Sequence, residues 1–540
     1  MKEELASLHQ KETWELVEKP KEQRVLPCSW VLTKKLNSDG SIQRYKARLV
    51  ILGNHQQAGI DFHETFSPTL KFNSLRLMLH IATDRDWEIL QFDIKTAFLN
   101  GTLDEDIYMM QPDGFPKHRD SEGELLVCKL SKSLYGLKQA PRQWKITLDS
   151  LMYKLSFKRC IGDLAVYQKG TGESQCFVCF YVDDGLVMCK DVKQAKALIE
   201  SIKSSFDLEF QGDYSGALGF SWVRNRKEKK SFLSQELYIK NLLSDYSMEE
   251  CKPVPTPMDS GVYKIISTSQ EKLLEKEDKV NHQRLIGSLI WLSIISRPDI
   301  SVAVGVLSRY MSCPTALHWS FGKRVLRYLA GTRDYGIQFG GSCELSCATD
   351  SDWASDEETR RSTTGITVKI GDSLISWSSK QQKSVTLSST EAEYVALTSG
   401  LQDALWISSI MTELGLTDAR KLILYCDNQS AIKLAYNPVQ HGRTKHIDLR
   451  YHYVREKIED GTVIVKYLST ERMPADMFTK PLGRIVFERQ LEMNGIISRS
   501  RFRGGVAVVA FTLGGQESRL FGSGVGKPPA YINSRRSVGR

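Results

Sequence analysis

Apolar residues fall at every second position in several short stretches of the first 250 residues, the spacing of half-buried strands. "SWVLTKKLNSDGSIQRYKARLVILG" reads as a strand, a polar turn at Asn37 to Gly40 carrying the Asp-Gly signal, and a returning strand. "WEILQFDIKTAFL" and "CFVCFYVDDGLVMC" are further strands, whereas "PRQWKITLDSLMYKL" and "VKQAKALIESIKSSF" carry helical spacing. This irregular mixture predicts an α+β domain over 1–251. From Lys252 to Asn281 the chain turns Pro-rich and then charged, with few large apolar residues, so a boundary is expected there. Residues 252–343 then read as a linker and helical connection, helical from His282 to about Gly331. A second strand-rich block from Glu344 to Trp377 precedes a long helix from about Thr390 to Leu414, a strand at Leu422 to Cys426 and more helix. That order predicts an α/β domain over 344–495. Residues 496–540 are rich in Gly and Arg and are expected to be a disordered tail.

Composition narrows the class. A chain of 540 residues is several domains long on a prior of roughly 100–200 residues each. With 41% hydrophobic and 25% charged residues it reads as globular, and no apolar run approaches the roughly 18 residues of a membrane helix. The charged start "MKEELASLHQ" is unlike a secretory signal, so an intracellular protein without a membrane partner is expected. The net charge of +9 suggests nucleic acid, but from Arg499 to Arg540 seven Arg and one Lys face one Glu, which puts +7 of it in the last 42 residues. A nucleic-acid groove in the body must then be a local patch. Eleven Cys without a regular framework fit a reducing compartment. Cys176 and Cys179, three apart in a strand, point to opposite faces and read as buried thiols rather than half a zinc site.

Two neighbouring carboxylates, Asp183 and Asp184, lie at the tip between "CFVCFYV" and "LVMC", with Gly185 supplying the permissive dihedral. A hairpin turn alone would account for Asp-Gly. Paired like charges beside apolar strands are costly without a cation between them, and Asp93 ends another strand in "LQFDIKTAFLNG". Three carboxylates from strand ends suit Mg²⁺, and two such ions stabilise both oxygens of an in-line phosphoryl displacement. Arg44, Lys46 and Arg48, spaced two apart, project from one strand face, where they could meet a triphosphate. A one-residue register shift decides which of Lys46 and Arg48 reaches it.

"RYKARLVILG", "ETFSP", "FDIKTAFLNGTLDEDIYMMQPDGF", "LSKSLYGLKQAPRQW" and "YVDD" occur in an order that resembles the reverse transcriptase of copia-type long-terminal-repeat retrotransposons. The resemblance runs from about Lys11 to Gly495 and implies a fingers–palm–thumb polymerase. It assigns Asp93, Asp183 and Asp184 to the palm metals, with Tyr181 and Val182 setting the turn against the primer end. Phe98 falls where such enzymes exclude a ribose 2′-hydroxyl, and Tyr135 and Gly136 where they contact incoming nucleotide and template base. Pro141 and Trp144 would support that last turn. "ALGFSW" and "FLSQELYIKNLLSDYSMEECKPVPTPM" resemble the end of the palm and the thumb.

The second block holds Asp350 at the end of "LSCATD", Glu393 in the first turn of the helix opened by "SSTEAEYVAL", Asp427 after "LILYC" and Asp476 in "MPADMFTK". Singly, a turn, the helix dipole and a helix cap would account for the first three. In their β-β-β-α-β-α order they resemble the four-carboxylate metal site of ribonuclease H. Asp352 shares the strand face of Asp350 and is a rival first ligand. "LSTERMPAD" offers Ser469, Thr470 and Glu471 where the retroviral domain has a His, leaving His446 as a candidate.

The whole reads as an RNA-directed DNA polymerase with a hybrid-degrading ribonuclease H, using two Mg²⁺ per site with Mn²⁺ as substitute. Expected partners are an RNA template, a DNA primer, RNA–DNA hybrid and deoxynucleoside triphosphates, with other Gag and Pol products as candidates. The expected location is a cytoplasmic virus-like particle with access to the nucleus. Without zinc-knuckle, protease or integrase motifs, the chain reads as truncated at its N-terminal side. The rival reading is a catalytically silent retroelement relic that binds nucleic acid or a protein partner.

Overall fold

The alternating stretch around "YVDD" forms the centre of a six-stranded antiparallel sheet, seen in a computed structural model. The structure describes residues 1–503 except 22, 37–41, 217–218, 417–420 and 438–444, and the backbone alone at 35, 36, 43, 44, 445–449 and 451. In spatial order the sheet runs Leu208–Asp213, Glu88–Ile94, Asp184–Cys189, Cys176–Tyr181, Val166–Lys169, Lys158–Arg159. Its period-2 pattern buries two faces. Leu90, Phe92, Val178 and Val187 pack under the helices Ala140–Lys154 and Val192–Lys203, while Ile89, Phe177, Cys179 and Met188 pack under Phe72–Asp84. Cys176 and Cys179 accordingly lie in different cores.

The fingers hairpin pairs Cys28–Leu36 with Ile42–Ile51 around the 37–41 segment, which lies outside the described residues. A separate sheet orders Trp14–Val17, Val127–Leu130, Tyr108–Met109 and Val25–Leu26. The palm is followed by the hairpin Ser221–Asn225 and Lys230–Ser234 and then by helices: Glu236–Asp245, Val262–Thr268, Lys276–Ile295, Ser301–Ser308 and Ala316–Gly331. The last of these ends where the sequence places it.

Two boundaries need correction. Residues 252–281 do not form a separating linker, because Val254, Met258 and Val262 are buried in the same core as the palm helix Phe72–Asp84, while Ile265, Leu273 and Val280 stay exposed. The tail does not begin at 496. Ile496–Ser498 is a strand paired to Tyr335–Phe339, which itself extends the Ser221–Ser234 hairpin, and Phe502 stacks on Phe232 with ring centroids 5.3 Å apart. Residues 504–540 lie outside the described residues.

The C-terminal sheet is mixed, in the order Ser373–Gln381, Thr363–Ile370, Leu345–Asp352, Leu422–Cys426, Val463–Tyr467. The first three strands are antiparallel, and the last two join Leu345–Asp352 in parallel. The helix Ser389–Glu413 covers Cys347 and Thr349, close enough that a side chain at Gly400 would strike both. The fold is thus an α+β hand followed by an α/β ribonuclease H-like domain. Among the described residues no helix is long and apolar enough to cross a membrane.

Candidate active sites

Asp93 and Asp184 are direct cross-strand partners in the central sheet, and Asp183 sits beside them in the turn between Tyr181 and Asp184. Antiparallel partners share a face, so Asp93 and Asp184 stand opposite each other at one sheet end with Asp183 in the adjoining turn, and like charges placed directly opposite are unfavourable without a counter-ion. The backbone device differs from the expected one. The two-residue tip is Val182–Asp183, and Val182 rather than Gly185 takes the left-handed conformation, at φ +62°. That conformation is strained for a β-branched residue. The Trp144 indole donates to the Val182 carbonyl at 2.8 Å and so pins the tip. Gly185 lies in the strand, where a Cβ would fall inside the Phe92 ring. Its lack of a side chain serves close packing, not the turn.

Of the residues expected around the substrate, Phe98, Tyr135 and Arg48 lie together beside this end. The Tyr135 ring stands edge-on to Phe98, centroids 5.2 Å apart, and the Arg48 guanidinium lies 5.4 Å from the Tyr135 centroid. Burial pushes the Tyr135 hydroxyl up to about 12, opposed by Arg48 and reinforced by Asp183 and Asp93, which places the ring between fingers cations and palm carboxylates. Lys46 and Arg48 both act on the Glu4 carboxyl, which burial raises. Of the two, Arg48 packs on Tyr135, and its Nε is buried without a hydrogen-bond partner. The Arg44 side chain lies outside the described residues. Gly136, at φ +96°, lets the end of the fingers strand close on this turn: the Ile51 amide donates to the Tyr135 carbonyl at 2.8 Å, and a Cβ at Gly136 would strike the Ile51 carbonyl. Trp144 reaches the Val182 tip rather than the Tyr135–Gly136 turn it is expected to support. Tyr181 is half-buried with its ring 5.9 Å from Phe72. Ala217 and Leu218, in the expected primer-contacting segment, lie outside the described residues.

The second site is more deeply buried. Asp350, Glu393 and Asp476 are each 5% exposed, and Asp427 is half-buried. Burial raises Glu393 to about 9, with the charges of Asp350 and Asp427 adding to it. Asp350 rises to about 7 through burial, Asp427 and Asp476. Asp350 therefore interacts with each of the other three. Asp352 rises to about 6 by burial, with Asp476 and Asp356 as its acidic neighbours. It feels neither Glu393 nor Asp427 among its principal interactions, so Asp350 is the strand residue at the cluster's centre.

The simpler local accounts do not hold. The helix starts at Ser389, so Glu393 lies in its second turn; Ser388 caps the helix, and Glu391 is its first-turn acid. Asn428, not Asp427, caps the following helix by accepting from the Ala431 amide at 3.0 Å. Glu393 instead accepts from the Ser351 amide at 3.0 Å and hydroxyl at 2.9 Å. The Thr470 hydroxyl donates to Asp427 at 2.7 Å and Thr479 to Asp350 at 3.0 Å, while Lys480 pairs with Asp476 at 2.9 Å. Sequence reasoning missed Ser351, Thr479 and Lys480, although Lys480 stands four residues after Asp476. The His446 side chain lies outside the described residues. Sγ of Cys426 and carboxylate oxygens of Glu393 and Asp427 lie within 4.8 Å of one another. Buried acids outnumbering their one lysine fit a divalent cation held by oxygens.

Residues 11–260 match the family described as reverse transcriptase (RNA-dependent DNA polymerase). The chain is 43% identical over 507 residues to a retrovirus-related Pol polyprotein from transposon TNT 1-94 of Nicotiana tabacum, covering 92% of this chain and 38% of that one. It is 41% identical over 487 residues to the corresponding polyprotein from transposon RE1 of Arabidopsis thaliana, covering 90% and 32%. It therefore spans well under half of these plant relatives. A putative transposon Ty5-1 protein of Saccharomyces cerevisiae is 31% identical over 306 residues, 97% of its length and 56% of this chain. Among solved structures, a foamy viral protease–reverse transcriptase in complex with RNA/DNA hybrid aligns over 86% of this chain and 52% of its own, at 12% identity and a TM-score of 0.47.

Proposed function

The chain belongs to the family of copia-type retrotransposon Pol polyproteins that carry a reverse transcriptase, and from that premise we propose that it copies RNA into DNA at one site and hydrolyses the RNA of the resulting hybrid at the other. The observation that carries the reading is the placement of Asp93, Asp183 and Asp184 at one sheet end, with Arg48, Tyr135 and Phe98 packed together beside it. Mg²⁺ or Mn²⁺, held in pairs by Asp93, Asp183 and Asp184 and by Asp350, Glu393, Asp427 and Asp476, would supply the Lewis acidity for phosphoryl transfer.

The chain's own groups do the rest. Arg48 and Lys46 hold the triphosphate of the incoming deoxynucleotide, as charge-assisted donors do. The Phe98–Tyr135 pair forms an aromatic floor that leaves little room for a ribose 2′-hydroxyl. Trp144 keeps Asp183 at the primer end by fixing the Val182 carbonyl. In the second site Ser351, Thr470 and Thr479 orient Glu393, Asp427 and Asp350, and Lys480 offsets part of the acidic charge at Asp476. RNA–DNA hybrid is recognised by shape and sugar contacts rather than by sequence, consistent with a nearly neutral body. The natural setting for such an enzyme is a cytoplasmic virus-like particle with other retrotransposon products.

Primer extension on an RNA template with Mg²⁺ tests this. The wild type extends the primer and Asp183→Asn does not. A wild type that binds hybrid yet incorporates nothing makes the chain a silent relic instead.

A further inference from the structure

The helix Ser389–Glu413 carries Glu393 near its start and ends against the palm. Glu413 accepts from the Ile161 amide at 2.6 Å through one oxygen, and from the Gly162 amide at 3.2 Å and the Cys160 thiol at 3.1 Å through the other. The Trp406 indole donates to the Gly162 carbonyl at 3.0 Å, with the Lys71 ammonium 4.2 Å from its ring. From the palm side, Gln168 donates to the Glu413 carbonyl at 2.9 Å and Gln175 to that of Leu414 at 2.6 Å. Trp406, Ile410 and Glu413 share one helical face, and Gly162 meets Ile410 so closely that a Cβ there would collide.

A second attachment lies elsewhere on the palm. Arg76 donates to the Ile375 carbonyl at 2.7 Å and lies over Trp377 at 4.0 Å, Asn73 donates to Ser376 at 2.9 Å, and His80 bonds Ser373 at 2.8 Å. One contact would leave a hinge, whereas two on different elements remove the rotation that domains in one chain otherwise retain. Both attachments lead toward the catalytic turn. Residues 160–163 precede the strand Val166–Lys169, which pairs with Cys176–Tyr181, and Phe72 of the second palm element touches Tyr181. Glu393 and Glu413 are separated by about 30 Å of one continuous helix at about 1.5 Å per residue.

We propose that Glu413 and Trp406 are positioning residues that clamp the hydrolytic domain to the palm, so that RNA is cut in a narrow window at a set distance behind the primer end. This rests on the two-activity reading above.

The test uses the full chain on an end-labelled RNA template with a DNA primer and no nucleotides. The wild type cuts within a narrow window. The double variant Glu413→Ala, Trp406→Ala spreads the cuts over many more positions while extending primers at the wild-type rate, and the single variant Glu413→Gln, which keeps one acceptor oxygen but turns an NH2 group toward the remaining donors, gives an intermediate spread. A scattered wild-type pattern, or a double variant with the wild-type pattern, overturns the proposal. Hydrogen exchange examines the clamp independently of activity: the Ile161 amide is protected in the wild type and exchanges at least about 100-fold faster in the double variant. An unprotected Ile161 amide in the wild type overturns the clamp. A protected amide in a wild type that neither extends nor cuts refutes the proposed function and leaves the clamp standing.

Discussion

The Trp144 indole donates a 2.8 Å hydrogen bond to the carbonyl of Val182, the residue held at φ +62° at the tip beside Asp183. A side chain from a helix thereby fixes a strained turn that carries a proposed metal ligand. Trp144→Phe keeps an aromatic ring and deletes the hydrogen bond, whose loss alone is worth about 1 kcal/mol. Steady-state primer extension should then show kcat/KM lowered roughly fivefold, with hydrolysis of preformed hybrid unchanged.

Gly185→Ala should destabilise the palm although the backbone conformation there suits any residue. The new methyl group meets the Phe92 ring, and overpacking of this kind costs about 1–3 kcal/mol. Urea unfolding followed by a palm-specific probe should show the lower midpoint, and Phe92→Leu should recover part of it.

Arg48→Ala should raise KM for deoxynucleoside triphosphates by roughly 10-fold or more, the worth of a charge-assisted hydrogen bond, with a smaller rise for Lys46→Ala. The difference follows from Arg48 packing on Tyr135 beside the palm acids. Equal effects would remove the distinction between the two cations.

Much of this was legible in the residues, and the exceptions have physical reasons. The strand Leu422–Cys426 and the helix Ser389–Glu413 follow from local period, and Asp93 could be matched to Asp184 because both end apolar strands. Tyr335–Phe339 and Ile496–Ser498 escaped because each is short and takes its partner from far along the chain. The segment 252–281 looked like a linker because its few apolar residues lack a period, yet Val254, Met258 and Val262 are buried. Gly185 drew the turn assignment because Asp-Gly is a hairpin signal, whereas Val182 bears the strain with tertiary help from Trp144. The attachment of the C-terminal domain to the palm depends on polar contacts between distant segments, which no local pattern announces.

The buried acids give a pH signature in metal-free solution. Folding raises Glu393 from 4.5 to about 9 and Asp350 from 3.8 to about 7. The folded state therefore binds these protons more tightly than the unfolded chain, and the stabilisation is full below about pH 4 and is lost as pH rises through about 7 and then 9. Thermal unfolding in chelator should show stability of the C-terminal domain falling over that range. Glu393→Gln should flatten the upper part of the fall, and added Mg²⁺ should reverse it with release of protons.

The central claim is that two separate carboxylate sites perform two separate reactions, and the direct measurement is a reciprocal assay with Mg²⁺ on an RNA template primed with DNA. Asp183→Asn should abolish primer extension and still hydrolyse RNA in preformed hybrid, while Glu393→Gln should extend primers and leave the RNA intact. Loss of both activities in either variant, or neither activity in the wild type, would contradict the account.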